Sequence, residues 1–586
     1  DKNQAYELIG YIVRRNSTFV TAEFLVSDVI KYIMTTKTNP NIDNSTLTMA
    51  YKEKLISDIQ GTKFHLRYTY QTDYYEAMRL ALFLMVDKNG RDPNKMKTLF
   101  PSGKESLLKS LPIGIQKSIH ESKIMKQWKD RNDICNHLDE RQMWVDGTVN
   151  LHQKISISMI LSKENGLAPI VIHGPPGTGK TKTVVEAVNQ IINLNLENAY
   201  TNKSKKERDK SKTSPRILLT APSDIACDVL CSRLTKTLHE KYDMLRMNLP
   251  QRQVNEIVLM DVLNHCHISK TTGSFEIPEV TELKKYKVII CTCAAAALFL
   301  ANHHGFIDMF SNHFQYIFID EAGQALEPEA LIPISIGRLN KGIASIVLSG
   351  DPKQLEAQVR SPIAGAFRFG KSLQERLMSM PLYNPKNIQQ SKFCFIQLNL
   401  NYRSHIDILN FSSTEFYDGS LHPKANDAKA NKFLNWEGVR ISKASGKPFP
   451  LIIYDIAGEE RLDQGSISFY NIEEANAIVK IIQDLLKSEK VQCTASDIAV
   501  LCAYWQQVRL VRKYLRQMGL GAIRVGVVDD YQGQESPITI VSCVLTQPRQ
   551  QVDILSPLTG LLGNVKRVNV ALTRAMGLCI VVASAS

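Results

Sequence analysis

Short runs of Val, Ile and Leu alternate with glycine-rich turns and helical stretches along most of the chain after residue 149. The runs before residue 370 are Ile170–His173, Ile217–Thr220, Val288–Cys291, Ile317–Ile319 and Ile346–Leu348. Those after residue 390 are Phe395–Leu398, Ile498–Cys502, Val525–Val528, Ile538–Cys543 and Cys579–Ala583. Strands that crossover helices bury on both faces are apolar throughout, so this pattern predicts an α/β fold with two parallel-sheet units.

A chain of 586 residues is too long for a single hydrophobic core. We predict an N-terminal accessory or stalk region over residues 1–148, a first α/β unit over 149–370 and a second over 371–586. The first unit contains a predicted helical insertion at about 235–285. In the accessory region, Tyr74–Val86 has the pattern of an apolar helix, and further basic helical material follows residue 104. The charged run Lys203–Lys212 favours a solvated loop over a nucleic-acid contact.

Composition narrows the choice of partner and compartment. Lys and Arg exceed Asp and Glu to give a net charge of +13, which favours a polyanionic partner, most simply nucleic acid. The eleven cysteines are scattered without CxxC pairs, a pattern typical of reduced thiols in a cytosolic or nuclear protein. The apolar run Val288–Ala301 is too short to cross a membrane. The chain begins with Asp1 and not Met, which is typical of a fragment.

A phosphate-binding sequence follows the first apolar run. The residues Gly174, Pro175, Pro176, Gly177, Thr178, Gly179, Lys180 and Thr181 match the pattern GxxxxGK[ST] between a predicted strand and a predicted helix. Such glycines let backbone N–H groups wrap a phosphate, while Lys180 reaches the β and γ phosphates and Thr181 binds Mg²⁺. The alternative, a purely structural Gly/Pro turn, is disfavoured because the full pattern is rare by chance and lies in the expected strand–loop–helix context. We therefore predict an ATP and Mg²⁺ site.

The run Ile317–Ile319 leads directly into two acidic residues, Asp320 and Glu321. A buried carboxylate is costly without a partner. In a phosphate-loop enzyme, a second strand commonly ends in an acid that binds Mg²⁺, and a neighbouring acid polarises the attacking water. We therefore assign Asp320 to the metal and Glu321 to catalysis, whereas an isolated pair of acids is normally only a solvated strand end.

Further motifs give the chain a specific resemblance. DEAGQ, GDPKQL (Gly350–Leu355), NYRSH (Asn401–His405), VDDYQGQES (Val528–Ser536) and VNVALTRA (Val568–Ala575) resemble, in order, the motifs of superfamily 1 helicases of the up-frameshift-like branch. The segments GPPGTGKTKTVVEAV, FIDEAGQALEPEAL and RSPIAGAFRFGKSLQERL are similar to those of the Mov-ten and Armitage group. The resemblance covers roughly residues 145–586 and implies two tandem RecA-like domains.

The resemblance also implies roles around the nucleotide. Gln153 would read the adenine edge, Tyr402 would pack on the base, and Glu535 would contact the ribose. Gln354 would sense the γ phosphate. Arg403 and Arg574, from the second unit, would act as arginine fingers, so hydrolysis would require the two domains to close.

Nucleic-acid contacts are implied at five positions, namely Pro222, Ser223, Thr292, Asp529 and Gln532. In the family these motifs hold the backbone of a single strand, which predicts weak sequence preference and strong salt dependence. The sequence departs from the family pattern at Asp224, where relatives commonly have Asn. It also departs in Cys502–Gln507, and at Ile406, where Pro is frequent.

Three functions are compatible with these motifs. The resemblance implies an ATP-dependent RNA helicase or translocase that moves 5′ to 3′ on single-stranded RNA and acts in RNA silencing or turnover. The others are a DNA helicase of the same superfamily and an ATP-gated RNA clamp that unwinds little. For the first function we expect a monomeric motor with silencing or RNA-decay protein partners and no membrane contact. The expected location is the cytoplasm, including RNP granules, with the nucleus left open.

Overall fold

The computed structural model describes most of the chain after residue 142. The described ranges are 10–15, 20–24, 73–85, 143–201, 215–300, 309–339, 342–357, 361–384, 393–443, 445–463, 468–531, 533–544 and 563–584, with the single positions 95, 98, 99, 101, 136, 138, 139, 359 and 561. The predicted basic helical material at 105–134 and the charged run Lys203–Lys212 lie outside them. Asp1–Thr72 form one compact unit, in which β1 (Gly10–Arg15) pairs antiparallel with β2 (Val20–Phe24).

The second compact unit, Asp73–Ser586, contains both predicted sheets. Its first helix, α1 (Asp73–Met85), confirms the apolar helix predicted near residue 74. Met78, Ala81 and Met85 are buried in a core shared with strands of the first sheet. This helix of the predicted accessory region therefore packs as part of the first α/β unit.

The first sheet has seven parallel strands in the order β5-β6-β4-β7-β8-β3-β9. The strands are β3 (Ile170–His173), β4 (Ile217–Ala221), β5 (Met244–Arg246), β6 (Val288–Thr292), β7 (Tyr316–Ile319), β8 (Ser345–Gly350) and β9 (Phe395–Gln397). The helices among them are α2 (Leu151–Ser162), α3 (Lys180–Thr201), α4 (Asp224–Leu234), α5 (Met260–Leu263), α6 (Val280–Leu283), α7 (Glu327–Ile336), α8 (Pro362–Ala366) and α9 (Leu373–Met378). Neighbouring strand residues such as Ile289 and Ile290 enter two different cores, which explains the continuous apolar runs.

The second sheet has five parallel strands in the order β14-β20-β19-β17-β18. These strands are β14 (Leu451–Asp455), β17 (Ile498–Cys502), β18 (Arg524–Val527), β19 (Ser536–Ser542) and β20 (Ala575–Ala583). Short pairs surround it, formed by β10 (Leu400–Asn401) with β11 (His422–Pro423), β12 (Arg440–Ile441) with β13 (Pro448–Phe449), and β15 (Glu460–Leu462) with β16 (Phe469–Asn471). Its helices are α10 (Ile406–Tyr417), α11 (Asp427–Ala430), α12 (Ile472–Lys487), α13 (Trp505–Gln517) and α14 (Val565–Thr573). The two-sheet α/β fold predicted from the sequence is confirmed.

Two details of the predicted organisation differ from the structure. The run Phe395–Leu398 was grouped with the second unit, but β9 pairs with β3 of the first sheet, with Phe395 opposite Val171. The first sheet therefore extends beyond residue 370, because the chain returns to it before crossing over. In the segment predicted as a helical insertion, α-helix is limited to the four-residue α5 and α6, with one turn of 3-10 helix at Val254–Glu256, and β5 is an edge strand of the sheet. In the described part of the chain, no helix is both long and apolar enough to span a membrane.

Candidate active site

The loop between β3 and α3 has a backbone that only glycine adopts easily. Gly177 and Gly179 have φ angles of +69° and +84°, in the left-handed region. A Cβ on Gly177 would lie 2.7 Å from the Asn401 side chain, and one on Gly174 would overlap Lys180. Asn401 also donates to the Pro176 carbonyl at 2.7 Å. The loop is thus held from outside and leads into the start of α3, where an anion is favoured.

Asp320, at the end of β7, forms an oxygen-rich pair with the loop threonine. The Thr181 hydroxyl donates to Asp320 Oδ2 at 3.0 Å, and the Ser349 hydroxyl donates to Oδ1 at 2.9 Å. Burial and the neighbouring Glu321 raise the pKa of Asp320 to about 6. A divalent cation would offset that cost, and hard cations prefer carboxylate and hydroxyl oxygens. These residues therefore fit Mg²⁺, with Asp320 and Thr181 in the positions to hold it.

Glu321 faces a different direction from its neighbour. Its φ of +53° is unusual for a residue with a side chain. The turn leaves Asp320 buried behind Thr181 and places Glu321 on the wall of the cavity in front of the loop. Gln324 Nε2 donates to Glu321 Oε2 at 3.1 Å. One carboxylate is thus set to hold a cation and the other to accept a proton from a bound water.

Arg574, at the end of α14 in the second α/β unit, contacts a residue of the first unit. Arg574 is only 2% exposed, and its Nη2 donates to Gln354 Oε1 at 2.9 Å. Its Nη1 donates to the Gln534 carbonyl at 3.1 Å. Burial and the nearby charge of Arg403 lower the pKa of the Arg574 guanidinium to about 9. Two guanidinium groups brought together in this way favour an anion between them.

Arg403 and Tyr402 line the same space from the segment that leaves β10. Arg403 Nε donates to Glu535 Oε2 at 2.5 Å, and its Nη1 donates to the Thr573 carbonyl at 3.2 Å. Tyr402 is 43% exposed, and its N–H donates to the Gly177 carbonyl at 2.9 Å. The Tyr402 ring is therefore accessible to a base beside the phosphate loop. Glu535 binds Arg403 here, whereas its predicted contact is to a ribose.

Gln153 lies where it was predicted, but its side chain has protein partners. It is 1% exposed and lies on α2, where its Oε1 accepts from the Asn150 N–H at 3.0 Å. Its Nε2 donates to the Thr178 carbonyl at 3.1 Å. Gln153 therefore braces both the start of α2 and the phosphate loop, and its reading of the adenine edge stays a prediction.

A cavity of about 760 Å³ joins these elements. Its wall includes the predicted residues Gln153, Pro175, Pro176, Gly177, Gly179, Lys180, Thr181, Glu321, Gln354, Tyr402, Arg403, Glu535 and Arg574. Gly174, Thr178 and Asp320 lie just behind that wall. The cavity is also lined by Thr148, Lys182 and Arg233, which the sequence did not single out, and by Gly533 and Gln534, which lie in the motif Val528–Ser536 without a predicted role. Lys182 directly follows the phosphate-loop motif, and this position in the sequence was a signal that could have identified it. Arg233 lies within an ordinary helix and has none.

Comparison with known proteins identifies the family. Two family models, each described as an AAA domain, match residues 369–586 and residues 148–272 and 267–362. Human RNA helicase Mov10l1 is 34% identical over 464 residues, 78% of this chain and 35% of that protein. The zebrafish putative helicase mov-10-B.2 is 30% identical over 89% of this chain and 47% of that protein. The Drosophila melanogaster protein named probable RNA helicase armi is 28% identical over 77% and 38%.

The chain belongs to the up-frameshift-like branch of the superfamily 1 helicases. Its predicted similarity to the Mov-ten and Armitage group is confirmed by these relatives. The chain spans between about one third and one half of the length of the three relatives. The two sheets therefore correspond to the two RecA-like domains of a helicase, and the cavity lies between them.

The first three residues predicted to contact nucleic acid lie at the carboxyl ends of strands of the first sheet. Pro222 and Ser223 follow β4, and Thr292 ends the neighbouring β6, where it is next in register to Ala221. Ser223 Oγ accepts from the Ala226 N–H, and Thr292 Oγ1 accepts from the Ala295 N–H. Because a hydroxyl that accepts still has a proton to donate, both could bind a phosphate oxygen.

The other two predicted contacts belong to the second sheet. Asp529 follows β18, and its Oδ1 accepts from Arg567 Nη2 at 3.3 Å. Gln532 lies outside the described residues. The structure therefore brings Pro222, Ser223 and Thr292 together, and places Asp529 on the other RecA-like domain.

Asp224, the acid at which the chain departs from the family pattern, is paired with a buried arginine. Arg246 on β5 donates from Nη2 to Asp224 Oδ1 at 2.7 Å and from Nε to Asp228 Oδ1 at 2.9 Å. Arg252 also donates to Asp228. Asp224 and Ser223 form the start of α4. The network thus fixes the start of this helix and offsets the negative charge beside the predicted nucleic-acid contacts.

We expect Arg246→Met to lower the free energy of unfolding by about 3 kcal/mol, because it leaves Asp228 buried with one of its cationic partners removed. Denaturant titration followed by fluorescence would measure the change. Arg509→Met, at an exposed position on α13, is the matched control and should stay near wild type. Equal stability of the two variants would show that the network contributes little.

Proposed function

We propose that this chain is an ATP-dependent RNA helicase or RNP-remodelling translocase that moves 5′ to 3′ on single-stranded RNA. One observation carries the proposal most directly. Arg574 of the second RecA-like domain contacts Gln354 of the first, 2.9 Å away, on the wall of the cavity that holds the phosphate loop. A nucleotide in that cavity would touch both domains at once, so its hydrolysis can change how they fit together.

The chemistry follows from where the groups stand. The N–H groups of the loop and Lys180 would bind the phosphates of ATP, and Glu321 would take a proton from the attacking water. Mg²⁺, held by Asp320 and Thr181, would neutralise phosphate charge when bound. Arg403 and Arg574 would stabilise the charge that develops on the γ phosphate. Because these arginines belong to the far side of the cavity, an open cleft would hydrolyse slowly.

Several observations support single-stranded RNA as the polymer. The net charge of +13 favours a polyanion. The hydroxyls of Ser223 and Thr292 lie at one edge of the first sheet and suit backbone phosphates, which carry no sequence information. Human Mov10l1 and the Drosophila relative are named as RNA helicases. We extend this substrate to the present chain, together with a role in RNA silencing or turnover.

ATP hydrolysis with and without single-stranded RNA or DNA is the first test. We expect RNA to stimulate hydrolysis, and the binding of RNA to weaken steeply with salt. Strand displacement on 5′-tailed and 3′-tailed duplexes then tests direction. Unwinding that requires a 3′ tail would contradict the proposed polarity, and stimulation by DNA alone would favour a DNA helicase. RNA-stimulated hydrolysis without displacement would favour an ATP-gated clamp.

The cellular setting is part of the same proposal. We propose that the chain acts as a monomeric motor in the cytoplasm, including RNP granules, with silencing or RNA-decay proteins as partners. Sedimentation of the purified chain and imaging of a tagged full-length protein would test these points. A nuclear location would move the proposed role to nuclear RNA.

A further inference from the structure

A buried polar chain connects the phosphate-loop strand to the helix that ends in Arg574. It begins at His173, the last residue of β3, whose Nε2 lies 3.2 Å from Asp351 Oδ1. Asp351 Oδ2 accepts from the Tyr417 hydroxyl at 2.7 Å. Asn569 Nδ2 in turn donates to that hydroxyl oxygen at 2.8 Å. His173, Asp351, Tyr417 and Asn569 are each at most 5% exposed, so water does not compete for these bonds.

The direction of the hydrogen bonds is fixed by the charge on Asp351. Burial alone would raise its pKa, but contacts with His173 and Gln354 and the charge of Lys180 lower the pKa to about 2. The carboxylate can therefore only accept, and the single proton of the Tyr417 hydroxyl must point to it. The hydroxyl oxygen is then free to accept from Asn569.

The chain forms a closed ring with the arginine contact described above. Gln354 Nε2 donates to Asp351 Oδ2 at 2.8 Å, which turns Gln354 Oε1 toward Arg574. Asn569 Nδ2 donates to the Lys353 carbonyl at 2.9 Å as well as to Tyr417. Asn569 lies on α14, five residues before Arg574, which is about 7.5 Å along a helix. Two routes thus join Asp351 to the same arginine. One passes through Gln354, and the other passes through Tyr417 and Asn569 and along α14.

Tyr417 lies outside all of the helicase-like motifs that the sequence contains. It ends α10, a helix that packs against α14. Its ring also lies 6.2 Å from the ring of His173. Tyr417 therefore occupies the place where the end of β3, the loop after β8 and α14 meet. Removing only its hydroxyl would leave the packing in place and break the hydrogen bonds that join Asp351 to Asn569 through Tyr417.

We propose that Tyr417 is a positioning residue for ATP hydrolysis, and that its hydroxyl, by bridging Asp351 and Asn569, sets Arg574 at the correct distance from the phosphate loop. The inference rests on the proposed function, since it assumes that Arg574 stabilises the reacting phosphate. Tyr417 is not among the residues that line the cavity. Its effect would be on the rate of hydrolysis and not on the binding of ATP.

Tyr417→Phe is the test, with Tyr383→Phe as the matched control. Tyr383 is equally buried, and its hydroxyl donates to the Pro169 carbonyl at 2.8 Å within the first domain. We expect Tyr417→Phe to lower kcat of RNA-stimulated hydrolysis about three- to tenfold, the size of one or two lost hydrogen bonds. KM for ATP and the affinity for ATPγS should stay within about twofold of wild type. Tyr383→Phe should keep the wild-type kcat.

A second variant distinguishes positioning from a general loss of packing. Asn569→Ala breaks the other end of the bridge and should also lower kcat. Since the two residues act in one chain, the double variant should be no more than about twofold slower than the slower single variant. The affinity for ADP with aluminium fluoride, which mimics the transferring phosphate, should fall in parallel with kcat.

Three results would overturn the inference, namely an unchanged kcat in Tyr417→Phe, the same loss in Tyr383→Phe, or independent multiplication of the two single effects. A wild-type chain with no hydrolysis above that of Glu321→Gln would instead remove the proposed function. The two failures are therefore distinguishable in one set of assays.

Discussion

Replacing Glu321 with Gln is expected to lower ATP turnover by at least about 100-fold, because an amide cannot take the proton of the attacking water. The amide has the same shape and can still lie against Gln324 on the cavity wall. Asp320, Thr181 and Lys180 are unchanged, so the sites for Mg²⁺ and the phosphates remain. The affinity for ATP should therefore stay within about twofold of wild type.

Single-turnover hydrolysis and equilibrium binding of a fluorescent ATP analogue would separate these two quantities. Glu437→Gln is the matched control, since Glu437 is an exposed acid that contacts Ser488 and Lys490 on the second domain. It should hydrolyse ATP at the wild-type rate. Turnover that survives in Glu321→Gln would mean that another group is the base. Loss of ATP binding would mean that the negative charge of Glu321 supports Mg²⁺.

The strand runs could be predicted because burial on both faces leaves a continuous apolar signal. Ile498–Cys502, for example, has alternate residues in two cores, and the structure has the strand at those residues. The same signal does not say which sheet a strand joins. Nothing in the sequence of Phe395–Gln397 indicates which of the two sheets it joins. Only its pairing with β3 places it in the first sheet.

Strands that interrupt the apolar pattern were missed for the opposite reason. β5 contains Arg246, which is 0% exposed and paired with two acids. A buried arginine looks like a surface residue in a sequence, because its partners Asp224 and Asp228 lie on another element. The same segment was therefore predicted as a helical insertion.

The residues of the candidate nucleotide site also differ in how well the sequence could predict them. The residues assigned to phosphate and Mg²⁺ occur in compact motifs with fixed spacing, so roles for Lys180, Thr181 and Asp320 could be predicted from sequence. Contacts that depend on tertiary structure could not. Gln153 has both ends of its amide bound to protein, and Tyr417 meets Asp351 across 66 positions of sequence. The contact between Tyr417 and Asp351 carries no local pattern, because its two partners come together only when the two sheets pack.

Arg574→Ala is expected to slow ATP hydrolysis by ~10³-fold, the size of an arginine finger's contribution to phosphoryl transfer. Binding of ATP should change far less, because the phosphate loop and Lys180 remain. Single-turnover rates with saturating ATP would measure the loss. The exposed Arg516 on α13 offers the control Arg516→Ala, which should keep the wild-type rate.

Lysine at the same position should not restore the rate. Burial and Arg403 already lower the pKa of the Arg574 guanidinium to about 9, and lysine starts from a lower value, so the same surroundings would favour its neutral form. A single amine also cannot reproduce the fork that reaches Gln354 and Gln534 together. We therefore expect Arg574→Lys to hydrolyse ATP within about threefold of Arg574→Ala. Recovery of most of the wild-type rate by lysine would show that a positive charge alone suffices, and that the planar geometry of the guanidinium is not required.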